Sequence, residues 1–166
     1  MTPLEGKGGS AMHVYQRNIN IQVKKADHRT LDIEAWMLDL GHLLRTLIRI
    51  DTESRIITHT EAEMVRHPFP TCPDVLEKFH NLRGVKVERG ISRKIKEIVG
   101  TRAGCVHLME LAIESMKVAT INFIWVDSGF ESYEDMHRVS NDELHARTLP
   151  MLKNSCHVFR EEDEEA

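Results

Sequence analysis

A chain of 166 residues is long enough to bury one core and too short for two comfortable ones, so a single domain is expected. With 41% hydrophobic and 29% charged residues the composition is that of a globular protein rather than a disordered one, and no apolar run approaches the ~20 residues that span a bilayer. The net charge of −4 argues against a non-specific nucleic-acid binder, and the small basic patch from Arg93 to Lys96 reads as a solvated helix face.

The Gly-rich, aperiodic stretch up to residue 14 reads as a flexible leader or a cloning scar, outside the fold. From 19 to 25 the apolar residues alternate: Ile19, Ile21 and Val23 share one face, which predicts a half-buried strand. A second strand follows in Leu31, Ile33, Ala35 and Met37. In a third, His42 shares the parity of Leu44, Thr46, Ile48 and Ile50. After the turn from Asp51 to Arg55, Ile56, Thr58, Thr60, Ala62 and Met64 form the expected inward set of a fourth. Short polar connections make an antiparallel meander of about four strands the economical arrangement.

The period then changes. Pro68, Pro70 and Pro73 stop any ladder and predict a stiff irregular loop that holds Cys72. Asp74 is expected to cap a helix closing on Gly84, and Ser92 a short helix ending at Gly100. Thr101 or Gly104 is expected to open a long helix reaching about Val126, with Leu108, Met109, Ala112, Met116, Ala119 and Phe123 against the sheet. The run from Val118 to Val126 reads as its buried end. Residues 127 to 134 read as a loop, and the rest, to 160, as short helices or coil. The acidic tail, 161 to 166, has nothing to bury and is expected to trail in solvent. The fold class expected is α+β, with C-terminal helices on one face of the sheet.

Three cysteines, Cys72, Cys105 and Cys156, are separated by long intervals and form no CxxC pair. Without a secretory signal, this favours a cytoplasmic chain with free thiols or thiolate ligands. Cys105 sits where a helix N-terminus favours a thiolate, although a buried cysteine packed with Met109 and Ala112 fits the same position. His107 and Glu110 are three apart and share a helix face, either as a surface pair or as ligands. His42, after Gly41 at a strand mouth, is a structural histidine or a ligand. His157, beside Cys156, is a further donor. There is no phosphate-binding loop, GxSxG elbow, HExxH or dinucleotide fingerprint.

Two resemblances rest on these residues. The order "LDIEAWMLD", "GHLLRTLIRID", "RIITHTEAEMVRHPFPTCP", "LRGVKV" and "GCVHLMELA" resembles a bacterial family of domains of unknown function over roughly 15 to 160. The course of the chain is also similar, more distantly, to U-type iron-sulfur cluster scaffold proteins: Gly41-His42 lies at their Gly-Asp step, Cys72 in their cysteine loop, and "GCVHLMELA" at their late helix. That likeness implies that Cys72 and Cys105 match two cysteine ligands. Leu40 stands where the scaffolds have another cysteine, and their Ser-rich run is missing.

If the helix start, the Cys72 loop and the His42 strand mouth meet at one sheet edge, His42, Cys72, Cys105 and His107 could bind zinc, iron or an iron-sulfur cluster, with Glu110, Asp39 or His157 as alternative fourth ligands. The expected function is a metal-binding accessory or redox-partner protein that meets another protein and no nucleic acid or membrane, self-association being left open. The alternatives are an enzyme acting on a small organic substrate through Cys105 or a bound metal, with Glu110 as acid-base partner, and an interaction module without a site.

Overall fold

The computed structural model describes residues 14–25 and 29–160. Strands β1 (Asn18–Lys25), β2 (Thr30–Leu38), β3 (Leu43–Asp51) and β4 (Ile57–Arg66) form one antiparallel sheet in the order β1-β2-β3-β4, the expected meander. Alternation decides the inner face: Leu31, Ile33, Ala35 and Met37 of β2 and Leu44, Thr46, Ile48 and Ile50 of β3 are all buried. The opposite face carries Lys24–Glu34, Asp32–Arg49 and Arg45–Glu63 ion pairs. Such exposed pairs add little stability and keep that face wetted.

The expected inward set of β4 is corrected at its start. Ile57, not Ile56, is the buried residue, and Thr58 is exposed. The cause is a β-bulge: Arg49 pairs with His59 but Ile50 pairs with Ile57, which leaves Thr58 without an opposite number and reverses the parity before it. Thr60, Ala62 and Met64 face inward as expected. Ile56 instead bridges to Lys86 in the chain that passes below.

A 3-10 turn (Cys72–Val75) and α1 (Leu76–His80) follow the proline loop. Asp74 lies inside the turn and caps nothing, and α1 is shorter than expected, although Gly84 does take the left-handed conformation, with φ of 82°. Helix α2 (Ile91–Val99) is capped by Gly90, not by Ser92. Helix α3 (Val106–Asp127) opens at Cys105 and buries Leu108, Leu111, Ala112, Ser115, Met116, Ala119 and Phe123. Met109 is only half-buried, and Leu111 and Ser115 join the expected stripe. Helix α3 lies across β1, β2 and β3, α2 packs on α3, and α1 packs on β4, so the core forms between one sheet face and these helices.

The run from Val118 to Val126 is not wholly buried, since Ile121 is 48% and Val126 61% exposed. Beyond α3, the expected loop is shorter, because α4 (Tyr133–Arg138) starts within it on a Ser132 cap. Helix α5 (Asn141–Leu152) starts on a Ser140 cap and carries Pro150 in its last turn. Among the described residues no helix is long and apolar enough to cross a membrane. The expectations for the leader up to residue 13 and for the tail from residue 161 lie outside the described residues.

Candidate functional site

The β2–β3 connection is the four-residue turn Asp39-Leu40-Gly41-His42, closed by the Asp39 N–H donating to the His42 carbonyl at 3.0 Å. Aspartate suits this position because its carboxylate can gather the turn's own N–H groups. Oδ1 of Asp39 accepts from Gly41 N–H at 2.9 Å and His42 N–H at 2.8 Å, and the His42 ring approaches the same oxygen through Nδ1 at 2.9 Å. A carboxylate can only accept, so that ring nitrogen carries a proton, and in the neutral imidazole the lone pair then lies at Nε2. From the other side, Tyr15 Oη and Arg17 Nε donate to Oδ2 of Asp39 at 2.6 and 2.9 Å. The Asp39 side chain is 1% exposed. Burial alone would push its pKa up, but the hydrogen bonds from Tyr15, His42, Gly41 and Arg17 outweigh this and hold it well below the usual carboxylate range.

Arg17, just before β1, binds the sheet edge to α3. Its Nη1 donates to Glu110 Oε2 at 3.0 Å, and its Nη2 reaches His107 Nε2 at 3.1 Å. A guanidinium has no acceptor, so His107 must present its lone pair at Nε2 and hold its proton on Nδ1. Burial and the nearby His42 and Arg17 push the His107 pKa down, which keeps the ring neutral. For Arg17 itself burial works against the charge, and the bonds to Asp39 and Tyr15 more than restore it. The two imidazoles lie against each other with centroids 4.0 Å apart and planes at 49°. Opposite, Arg66 at the end of β4 donates to the Asp39 carbonyl at 2.6 Å and holds the turn down.

Helix α3 reaches this edge because its start is fixed by backbone contact. Cys105 N–H donates to the Val99 carbonyl at 3.0 Å, and a Cβ on Gly104 would stand 1.9 Å from that carbonyl oxygen. Only glycine allows so close an approach. His107 and Glu110 then point from one helix face toward Arg17, as their spacing implies.

The structure therefore brings His107, Glu110 and Asp39 together around a cation that the sequence reading did not foresee, Arg17, and sets His42 against Asp39 and His107. Cys105 is half-buried against the core at the head of α3, and Cys72 is half-buried at the head of the 3-10 turn. Neither thiol hydrogen-bonds to the network. His157 belongs to a separate 3-10 turn (His157–Phe159) that packs on α5, away from the site. Among the described residues no three His, Cys, Asp or Glu side chains converge in the geometry of a metal site. Tyr15 and Arg17 were missed because nothing local marks them; Asp39 had a signal in the spacing Asp-x-Gly-His, a side chain placed to collect the next N–H groups.

Together these features define an α+β domain with a half-buried acid-base network where the sheet edge meets the head of its longest helix. The chain belongs to the family described as Protein of unknown function (DUF2889), which matches residues 15–121 and so takes in every member of the network from Tyr15 to Glu110. No curated protein and no solved structure matches the chain. The likeness to iron-sulfur scaffolds thus rests on the sequence course alone.

Proposed function

We propose that the chain is an enzyme that moves a proton on a small organic substrate, with His42 as the base. The observation that carries this is the Asp39–His42 pair: a buried carboxylate fixes the ring's tautomer and orientation through Nδ1 and leaves Nε2 to take a proton. Asp39 also steadies the imidazolium once it forms. Arg17, charged at any physiological pH, supplies a fixed positive charge beside the dyad and holds the His107 ring against that of His42. The reactive centre is then the dyad rather than Cys105.

The test is a panel of small esters, thioesters and carbon acids, followed by hydrolysis or by deuterium exchange from solvent. At least one member is expected to react faster with the wild type, and His42→Gln is expected to lower that rate on the order of 10²-fold, the usual contribution of a positioned base. Equal rates for both proteins across the panel would overturn the reading.

A metal-binding reading, zinc or iron with thiolate help from Cys72 and Cys105, is favoured by one observation: three side chains that could ligate a metal, Asp39, Glu110 and His107, already share one cation, Arg17. A metal would have to take the place of the guanidinium. On this reading Arg17→Met binds zinc at least tenfold more tightly than the wild type in a chelator competition, and zinc raises its Tm. An unchanged affinity, insensitive to a further Cys72→Ser, Cys105→Ser change, ends the metal reading and leaves the proton-transfer one standing.

A further inference from the structure

The far end of α3, opposite the end that carries the network, packs against the turn that follows it. The chain turns back after α3 through Gly129, at φ of 78°, and the Phe130 N–H donates to the Trp125 carbonyl at 3.0 Å. This folds the Phe130 ring under Trp125, edge to face, with centroids 6.2 Å apart. Arg147 of α5 lies over the same Phe130 ring, 5.1 Å from its centroid. The packing leaves a cleft of about 390 Å³ walled by Val23, Leu31, Ile121, Trp125, Val126 and Phe130. That volume falls in the range of small-molecule sites.

Two of those walls, Ile121 and Val126, are the residues left half open to solvent in a run whose sequence reads as core. Large apolar side chains at a concave surface mark a contact still to be made. A neighbouring cleft of about 420 Å³ lies across Arg55 and Asp127 and is also lined by Glu88 and Arg89. Arg55 donates to both carboxylate oxygens of Asp127 at 2.6 and 2.7 Å and stacks 5.1 Å from the Phe123 centroid, so the wall between the clefts is a neutralised pair.

The rim of the apolar cleft decides the class of ligand. Among the described residues its charged groups are Lys25, Arg55, Asp127 and Glu131, two of each sign, and its remaining polar groups are the uncharged side chains of Thr52, Asn122 and Ser132. A charged ligand would meet a rim with no net charge to offset its desolvation. We infer that this cleft binds a small neutral molecule with an apolar body and one hydroxyl or carbonyl head, the body against Ile121, Trp125 and Phe130 and the head at the Thr52, Asn122 and Ser132 rim.

The chain has two tryptophans, and the other, Trp36, points outward from β2 on the opposite sheet face. A Trp36→Phe variant therefore makes Trp125 the sole indole reporter. The full-length variant would be titrated with 1-octanol, octanoate and octylammonium, which share a tail and differ in charge. The expected result is a saturable change in Trp125 emission with octanol, at least tenfold weaker binding of both ions, and at least tenfold weaker octanol binding after Ile121→Asp, whose Tm checks that the fold survives. No saturable change with any probe overturns the inference. So does an ion that binds as tightly as octanol, or an Ile121→Asp protein that binds octanol as before.

Discussion

Asp39→Ala is expected to destabilise the protein by about 3–5 kcal/mol in urea denaturation at pH 7, because it strips one partner from a buried charged cluster. Five donor contacts converge on that carboxylate, from Tyr15, Arg17, the Gly41 and His42 N–H groups and the His42 ring, and the alanine leaves them without an acceptor. A loss of that size is a large share of the total for most domains. Asn in place of Asp keeps one acceptor oxygen and should cost less, though its amide group would meet donors rather than acceptors. The pH dependence has a definite sign. Both Asp39 and His107 have folded-state pKa values below their ordinary 3.8 and 6.5, so the unfolded chain binds more protons and stability falls as pH falls. The His107 contribution is present above about pH 6.5 and is lost on acidification through its depressed folded value, while that of Asp39 begins to be lost only near pH 4. Wild type should therefore lose stability in two stages, and Asp39→Ala should lack the second. A cost below about 1 kcal/mol, or an unchanged acid limb, would show that the carboxylate does not organise the site.

The sheet could be read from the sequence where side-chain alternation maps directly onto the pleat, as in β2 and β3. It could not be read at Thr58, because a bulge is a backbone event and the two apolar neighbours Ile56 and Ile57 give either parity. The long helix announced itself through its apolar stripe, but its first residue did not: Cys105 stands at the cap with no side-chain hydrogen bond, where a Ser, Thr, Asp or Asn would have marked the start. The site was half legible for the same kind of reason. His107 and Glu110 share a helix face by spacing alone, and His42 stood at a strand mouth. Arg17 is 90 residues from His107 and 93 from Glu110, a pairing that only the folded topology creates. Without that cation the cluster of imidazoles and carboxylates looked like a metal site waiting for its ion.

Gly104→Ala should have the second large effect, and it joins the fold to the site. The new methyl would stand 1.9 Å from the Val99 carbonyl oxygen and 2.8 Å from its carbon, both backbone atoms at the end of α2 that no side-chain rotation can move away. The α2–α3 connection must open to accept it, and the Cys105 N–H bond to that same carbonyl is the first to go. Overpacking in a closely packed region costs typically about 1–3 kcal/mol, and a lost buried backbone bond adds about 1–3 more. A total of about 2–6 kcal/mol is expected, read as a drop in Tm and in the urea midpoint. The displacement also moves the head of α3, so His107 and Glu110 should draw away from Arg17 even in the molecules that remain folded. Histidine NMR of Gly104→Ala is accordingly expected to show the His107 ring titrating closer to its ordinary value, while Gly84→Ala, at a left-handed turn far from α3 in the chain, destabilises without moving that resonance. If both variants shift His107 alike, the head of α3 is not what positions the ring, and the close approach at Gly104 serves packing alone.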